Sequence, residues 1–178
     1  VEQLQAALPK LVIQQPNWKA STSHNAANAA NILSINPWTS GTAQQPGMWV
    51  QVELPAPIAL TEISFESTVP PAVTEPGAPT RTGVPGQAPG GGRGAAAAGT
   101  PPPPPPPIGA PIAYQVQVST DGTTWSAPVA QGQGTGASTV ATFKPVQAKF
   151  VKITQTGTGT ATSPAWTVQR LKLYEAGK

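Results

Sequence analysis

Residues 68–113 hold 14 prolines and 9 glycines in 46 positions, and this block limits the fold more than any other feature of the chain. Proline fixes its own φ and removes a backbone donor, while glycine costs the most entropy to order. The block contains Gly90-Gly91-Gly92, Ala95 to Ala98 and seven prolines from Pro101 to Pro107. It has almost no large apolar side chains, so it cannot build a core that offsets the entropy of ordering. The proline run by itself would make a stiff polyproline II rod of roughly 22 Å. The other 132 of the 178 residues hold 9 Pro and 9 Gly, an ordinary share. The chain therefore reads as one domain over 16–178, interrupted by an insertion at 68–113 and preceded by an N-terminal extension at 1–15.

Outside the block the apolar pattern is that of strands. Trp49-Val-Gln-Val-Glu-Leu54 and Leu60-Thr-Glu-Ile-Ser-Phe65 alternate at period two, the signature of a half-buried strand. Tyr114-Gln-Val-Gln-Val118 alternates too, and stops at a turn built on Asp121-Gly122. Thr139–Phe143, Phe150–Thr154 and Trp166–Tyr174 complete the series. Connections are short, with no helical period between strands, which predicts an all-β, antiparallel sandwich. Glu2 to Leu8 could add one turn of helix before Pro9.

Charge excludes several classes. Only 10% of residues are charged and the net charge is +3, too little for a solvated acidic or basic tail and too little for a helical bundle. Lys and Arg are scattered, whereas nucleic-acid binding needs them clustered. No apolar run approaches the roughly 20 residues of a membrane helix. With no cysteine there is no disulfide, thiolate metal site or cysteine nucleophile. A start at Val1 fits a processed chain or a fragment.

The order of the elements resembles the discoidin family, the coagulation factor five/eight type C domain. Trp18-Lys-Ala-Ser-Thr-Ser is similar to the family's opening strand. Asn28 to Gly41, through Trp38, resembles its first loop. Pro46 to Leu54 is similar to the strand that follows, and Tyr114-Gln-Val-Gln-Val-Ser-Thr-Asp-Gly-Thr-Thr-Trp125 to the family's strand and turn. Lys149–Thr154 and Trp166–Tyr174 close the series. The resemblance covers most of 16–174 outside the insertion. It implies a galactose-binding-like, eight-stranded jelly roll that binds ligands through loops at one end, without cofactor or catalysis, outside the cell or on its surface. It also implies a calcium loop, from which this chain departs. Leu33-Ser34 stands where the family has Asp-Gly, and Arg170 where it has Glu. Calcium needs hard anionic oxygens, so the site is expected to be lost, with Arg170 bonding loop carbonyls instead.

Sugar sites in such modules are loop-borne and use His, Asn, Arg and aromatic side chains. The candidate ligand contacts are thus His24, Asn25, Trp38, Gln44, Gln45 and Tyr114. Trp49 and Trp166 are expected in the core, Trp18 at its edge, and Trp125 over its turn. No motif places a base beside a nucleophile. Gly90-Gly-Gly-Arg-Gly94 lacks the strand, the helix and the Lys-Ser/Thr of a phosphate loop. Within the insertion, Arg81, Arg93, Pro101, Pro104 and Pro107 are candidate partner contacts, because polyproline docks on aromatic grooves at low entropic cost. Two functions follow: a non-catalytic carbohydrate-binding or adhesion module, or a structural subunit of an extracellular assembly. In the second, the insertion and N-terminal segment would dock onto neighbouring copies in an oligomer or filament.

Overall fold

The computed structural model describes residues 8–68 and 108–177. The chain divides into two units, Val1–Pro70 with Pro107–Lys178, and Pro71–Pro106; the second lies outside the described residues. So do Arg81, Arg93, Pro101, Pro104, Pro107 and the proline run, and the N-terminal helical turn up to Ala7.

The described residues form β1 (Lys10–Leu11), β2 (Lys19–Thr22), a 3-10 helix (Ala26–Leu33), β3 (Trp38–Ala43), β4 (Trp49–Glu66), β5 (Tyr114–Ser119), β6 (Ala130–Gly132), β7 (Ser138–Gln155) and β8 (Ala165–Glu175). Strand order is β1-β8-β4-β7-β5-β6, with β2 added to β4 and β3 to β8. Every pairing is antiparallel, as the alternating pattern predicts.

The segments 49–54 and 60–65 turn out to be two halves of one bent strand. Between them lies Pro55-Ala56-Pro57, and the β4–β7 register breaks from Glu53 to Ile58. Proline cannot donate to a ladder, so the pairing lapses and the strand can fold over. A second register shift follows between Leu60 and Glu62, where β7 carries Pro145. The first half of β4 pairs with β2 and the end of β7; the second half pairs with β8 and the start of β7. Val50, Val52 and Leu54 from one half and Ile63 and Phe65 from the other share one core, so the two layers face each other. β4 and β7 consequently begin and end at the same end of the domain.

Trp38 and Trp166 pack edge to face at the core's centre, centroids 5.6 Å apart at 88°. Trp166 and Trp18 are buried as expected, but Trp49 is only half-buried and stands outside the core. The strand's alternation puts Val50 inward and therefore Trp49 outward.

Candidate functional site

Five loops meet at the end where β4 and β7 both start and finish. They are Ser23–Asn25 after β2, Gln44–Met48 before β4, Ile108–Ala113 before β5, Gln133–Ala137 before β7, and Thr156–Pro164 before β8. One buried glutamine, Gln44, ties two of them, and a second, Gln155, braces its own. The Gln44 amide donates to the Ala110 carbonyl at 2.8 Å and its oxygen accepts from the Ile112 amide at 3.0 Å. Gln155 is also wholly buried, and its backbone accepts from the Gly47 amide at 2.8 Å and donates to the Met48 carbonyl at 2.7 Å. Its side-chain amide caps Gly157, donating to the carbonyl at 3.0 Å. A side-chain amide matches a backbone peptide donor for acceptor, which is why glutamine serves as a staple between loops.

The roots of the insertion are pinned here as well. Gly109 donates to the Thr68 carbonyl at 2.8 Å. The Thr167 hydroxyl accepts from the Thr68 amide at 2.9 Å and donates to the Thr68 carbonyl at 3.0 Å. Ser67 donates to the Thr167 carbonyl at 2.9 Å. The chain thus leaves at Thr68 and returns at Gly109 through one hydrogen-bonded neck.

His24 is exposed on the first of these loops. Its backbone carbonyl is fixed twice, by the Thr22 hydroxyl at 2.8 Å and the Trp38 indole at 3.1 Å. Its ring Nδ1 lies 2.9 Å from the Ser23 hydroxyl, which also accepts from the Trp49 amide at 2.9 Å. With the Ser23 hydroxyl donating to Nδ1, the neutral ring presents Nε2–H outward as a donor. Asn25 follows in the left-handed region at φ 49°, a conformation asparagine tolerates well. Its amide donates to the Thr39 carbonyl at 3.1 Å, and its oxygen accepts from Asn28 at 3.0 Å. Gln45 is exposed on the neighbouring loop.

The sequence-based candidates therefore gather at one end but do not share one role. Trp38 and Gln44 are 0% exposed and Tyr114 is 6% exposed, and these three are corrected to structural residues. Trp38 is held by Trp166 and the His24 carbonyl, Gln44 by the insertion's return, and Tyr114 by Phe65, ring centroids 6.3 Å apart. Burial raises the Tyr114 phenol pKa. His24, Asn25 and Gln45 remain at the surface. Sequence reasoning missed Gln155, Thr167 and Ser67, whose partners lie far along the chain; it also missed the exposed Thr156, Thr158, Thr160 and Thr162. Their every-second-residue spacing was the only available signal.

This end offers hydrogen bonds without strong charge. The Ser23–His24 contact has the distance of a nucleophile–base pair, but the two are adjacent in sequence and no third group among the described residues orients the ring. Among the described residues no three His, Asp or Glu side chains come together as a metal cluster.

A family model for the F5/8 type C domain matches residues 108–168. Solved structures extend the likeness over most of the chain. One is chitosan-binding module 1 of a chitosanase/glucanase from Paenibacillus sp. IK-5, 19% identical, with a TM-score of 0.57 over 89% of this chain and 95% of that one. Another is a CBM32 module from Clostridium perfringens in complex with GalNAc-β-1,3-galactose, 13% identical, TM-score 0.57, covering 89% and 95%. A third is an F5/8 type C domain from Bacteroides fragilis, 12% identical, TM-score 0.56, covering 96% and 98%. The chain has the F5/8 type C, or discoidin, fold. No curated protein sequence matches it.

Within this discoidin fold, the donors at the calcium-loop positions do not fit the ion. Leu33 offers no side-chain oxygen. The Ser34 hydroxyl is turned onto the Asn31 and Asn36 carbonyls at 3.3 and 3.0 Å. Arg170 adds a positive charge, which repels a cation. Its bonding differs from the expectation in one respect. The backbone amide, not the guanidinium, meets the loop, donating to the Ser34 carbonyl at 2.9 Å. The guanidinium reaches Glu66 at 3.5 Å instead.

Proposed function

We propose that this discoidin-fold chain is a non-catalytic carbohydrate-binding module acting outside the cell or at its surface, and that it reads its ligand with the loop end. The observation that carries this reading is the buried Gln44 staple between the loop before β4 and the loop before β5. It fixes those loops before any ligand arrives, which removes part of the ordering cost of binding. On that fixed frame His24 Nε2–H, the Asn25 region and Gln45 supply polar groups of both senses, suited to neutral sugar hydroxyls. Relatives in fold are carbohydrate-binding modules, one of them in complex with a galactose-containing disaccharide. The test is a broad glycan array followed by calorimetry on the best hit. His24→Ala and Gln45→Ala should each weaken binding by about three- to tenfold, the worth of one hydrogen bond. A silent array, or unchanged affinity in both variants, defeats the proposal.

A second reading, a subunit of an extracellular assembly, is favoured by one feature. Leu11, Ile13 and Ile35 are 45%, 74% and 71% exposed and border two clefts beside β1, and Leu8, ahead of β1, is 63% exposed. Large exposed apolar side chains in one region mark contact surfaces. Native mass that rises with concentration, and falls when Leu11 and Ile13 are replaced by Ser, would support it; a constant monomer mass would remove it.

A further inference from the structure

The outer face of the layer made by β2, the first half of β4, the last half of β7, β5 and β6 carries a second pattern. Ser21, Gln51, Lys152 and Gln117 form one row across the strands. Trp49, Thr154, Gln115 and Gln131 form the next. Their neighbours along each strand, Val50, Val52, Val116, Val118, Val151 and Ile153, are core residues, so both rows point away from the core. Rows two residues apart are separated by about 7 Å.

Lys152 sits in the middle of this face. Its ammonium lies 4.0 Å from the centroid of the Trp125 ring. The ion pairs among the described residues are Lys19–Glu53, Lys149–Glu53 and Arg170–Glu66; none involves Lys152. Burial lowers the Lys152 pKa, the mark of a charge short of solvation. A half-buried ammonium with no counter-ion is a binding opportunity, because an arriving anion recovers lost solvation. The Gln51 amide and the Thr154 hydroxyl beside it make no side-chain hydrogen bond among the described residues. Glu53, two residues along β4 from Gln51, is already shared by two lysines at 4.0 and 3.7 Å. The face is therefore net positive, amide-rich and flanked by aromatic rings.

We propose that this face binds an acidic polysaccharide, with a uronate carboxylate on Lys152, sugar hydroxyls on Gln51 and Thr154, and a pyranose ring against Trp49. Charge complementarity selects the acidic chain: a neutral glycan would leave the ammonium as it is. Its anchor, Lys152, lies on the strands rather than on the loops, while Trp49 and Thr154 border the loop end.

The test is affinity electrophoresis of the full chain in gels containing polygalacturonate, with dextran as the neutral control. The wild type should be retarded by polygalacturonate and not by dextran. Lys152→Gln should raise the apparent Kd about tenfold, the worth of one charge-assisted contact. Gln51→Glu, a change on the solvent side of the strand, should do the same by repulsion. Lys144→Gln, an exposed lysine of β7, should stay within about twofold. No retardation of the wild type overturns the proposal. So does an unaltered Lys152→Gln protein, or an equal loss in Lys144→Gln, which would mean bulk charge alone.

Discussion

Gln44 uses both ends of its amide on one stretch of backbone 66 and 68 residues away, and it is wholly buried. Gln44→Ala would leave the Ala110 carbonyl and Ile112 amide without partners and open a cavity. A loss of about 2–4 kcal/mol is expected, read from urea unfolding, while the exposed Gln45→Ala should stay within about 0.5 kcal/mol. Equal losses would mean that Gln44 staples nothing. Asp121 makes a prediction in acid. Its carboxylate accepts from the Thr124 and Thr123 amides and the Ser119 hydroxyl, each at 2.8 Å, and these bonds hold its pKa far below the ordinary carboxylate range. A depressed folded-state pKa stabilises above the unfolded value of about 3.9 and is lost as pH falls through the folded value. Asp121→Asn should therefore show a shallower fall in Tm from pH 5 to pH 2 than the wild type; a steeper one would contradict the assignment. The turn role of Asp121 was legible because all its partners lie within three residues. The roles of Gln44 and Trp38 were not, because a loop glutamine or tryptophan looks the same in sequence whether it faces a ligand or a distant carbonyl.

Strand patterning shows the same division at the level of elements. Each half of β4 and β7 was legible from its alternation, but their union was not, because prolines normally end a strand and here they bend it. β3 and β6 escaped notice: Trp38-Thr-Ser-Gly-Thr-Ala43 and Ala130-Gln-Gly132 lack enough apolar residues to alternate. In β8, Arg170 takes φ 47° where the β4–β8 register shifts between Ser64 and Glu66. A left-handed backbone costs an L-residue about 1 kcal/mol relative to glycine. Arg170→Gly and Arg170→Ala both lose the exposed Glu66 pair, but only the glycine relieves the strain. The glycine variant should be the more stable by about 1 kcal/mol in thermal unfolding, and the reverse order would show that the bulge is unstrained. At the insertion's neck, a Cβ on Gly109 would lie 2.5 Å from the Thr167 hydroxyl and 2.7 Å from the Ala165 carbonyl. Gly109→Ala should cost about 1–3 kcal/mol by overpacking; an unchanged midpoint would mean that the neck yields freely.

For the molecule as a whole, the chain leaves the sandwich at Thr68 and returns at Gly109 through a hydrogen-bonded neck. Thr68 and Gly109 are already bonded at 2.8 Å, and Ser67, Thr68 and Gly109 all bond Thr167. The strands on either side, β4 and β5, are both held by β7. Excising 69–107 and joining Thr68 to Ile108 with four Gly/Ser residues should then leave the sandwich intact. Closing a loop of four residues rather than 39 saves about 2 kcal/mol of chain entropy, from (3/2)RT ln(39/4). The shortened protein should unfold cooperatively with an equal or higher Tm, and should bind whatever glycan the loop end selects with unchanged affinity. A lower Tm would make the insertion part of the fold. Unchanged stability with lost glycan binding would move the ligand site from the stapled loops onto the insertion itself.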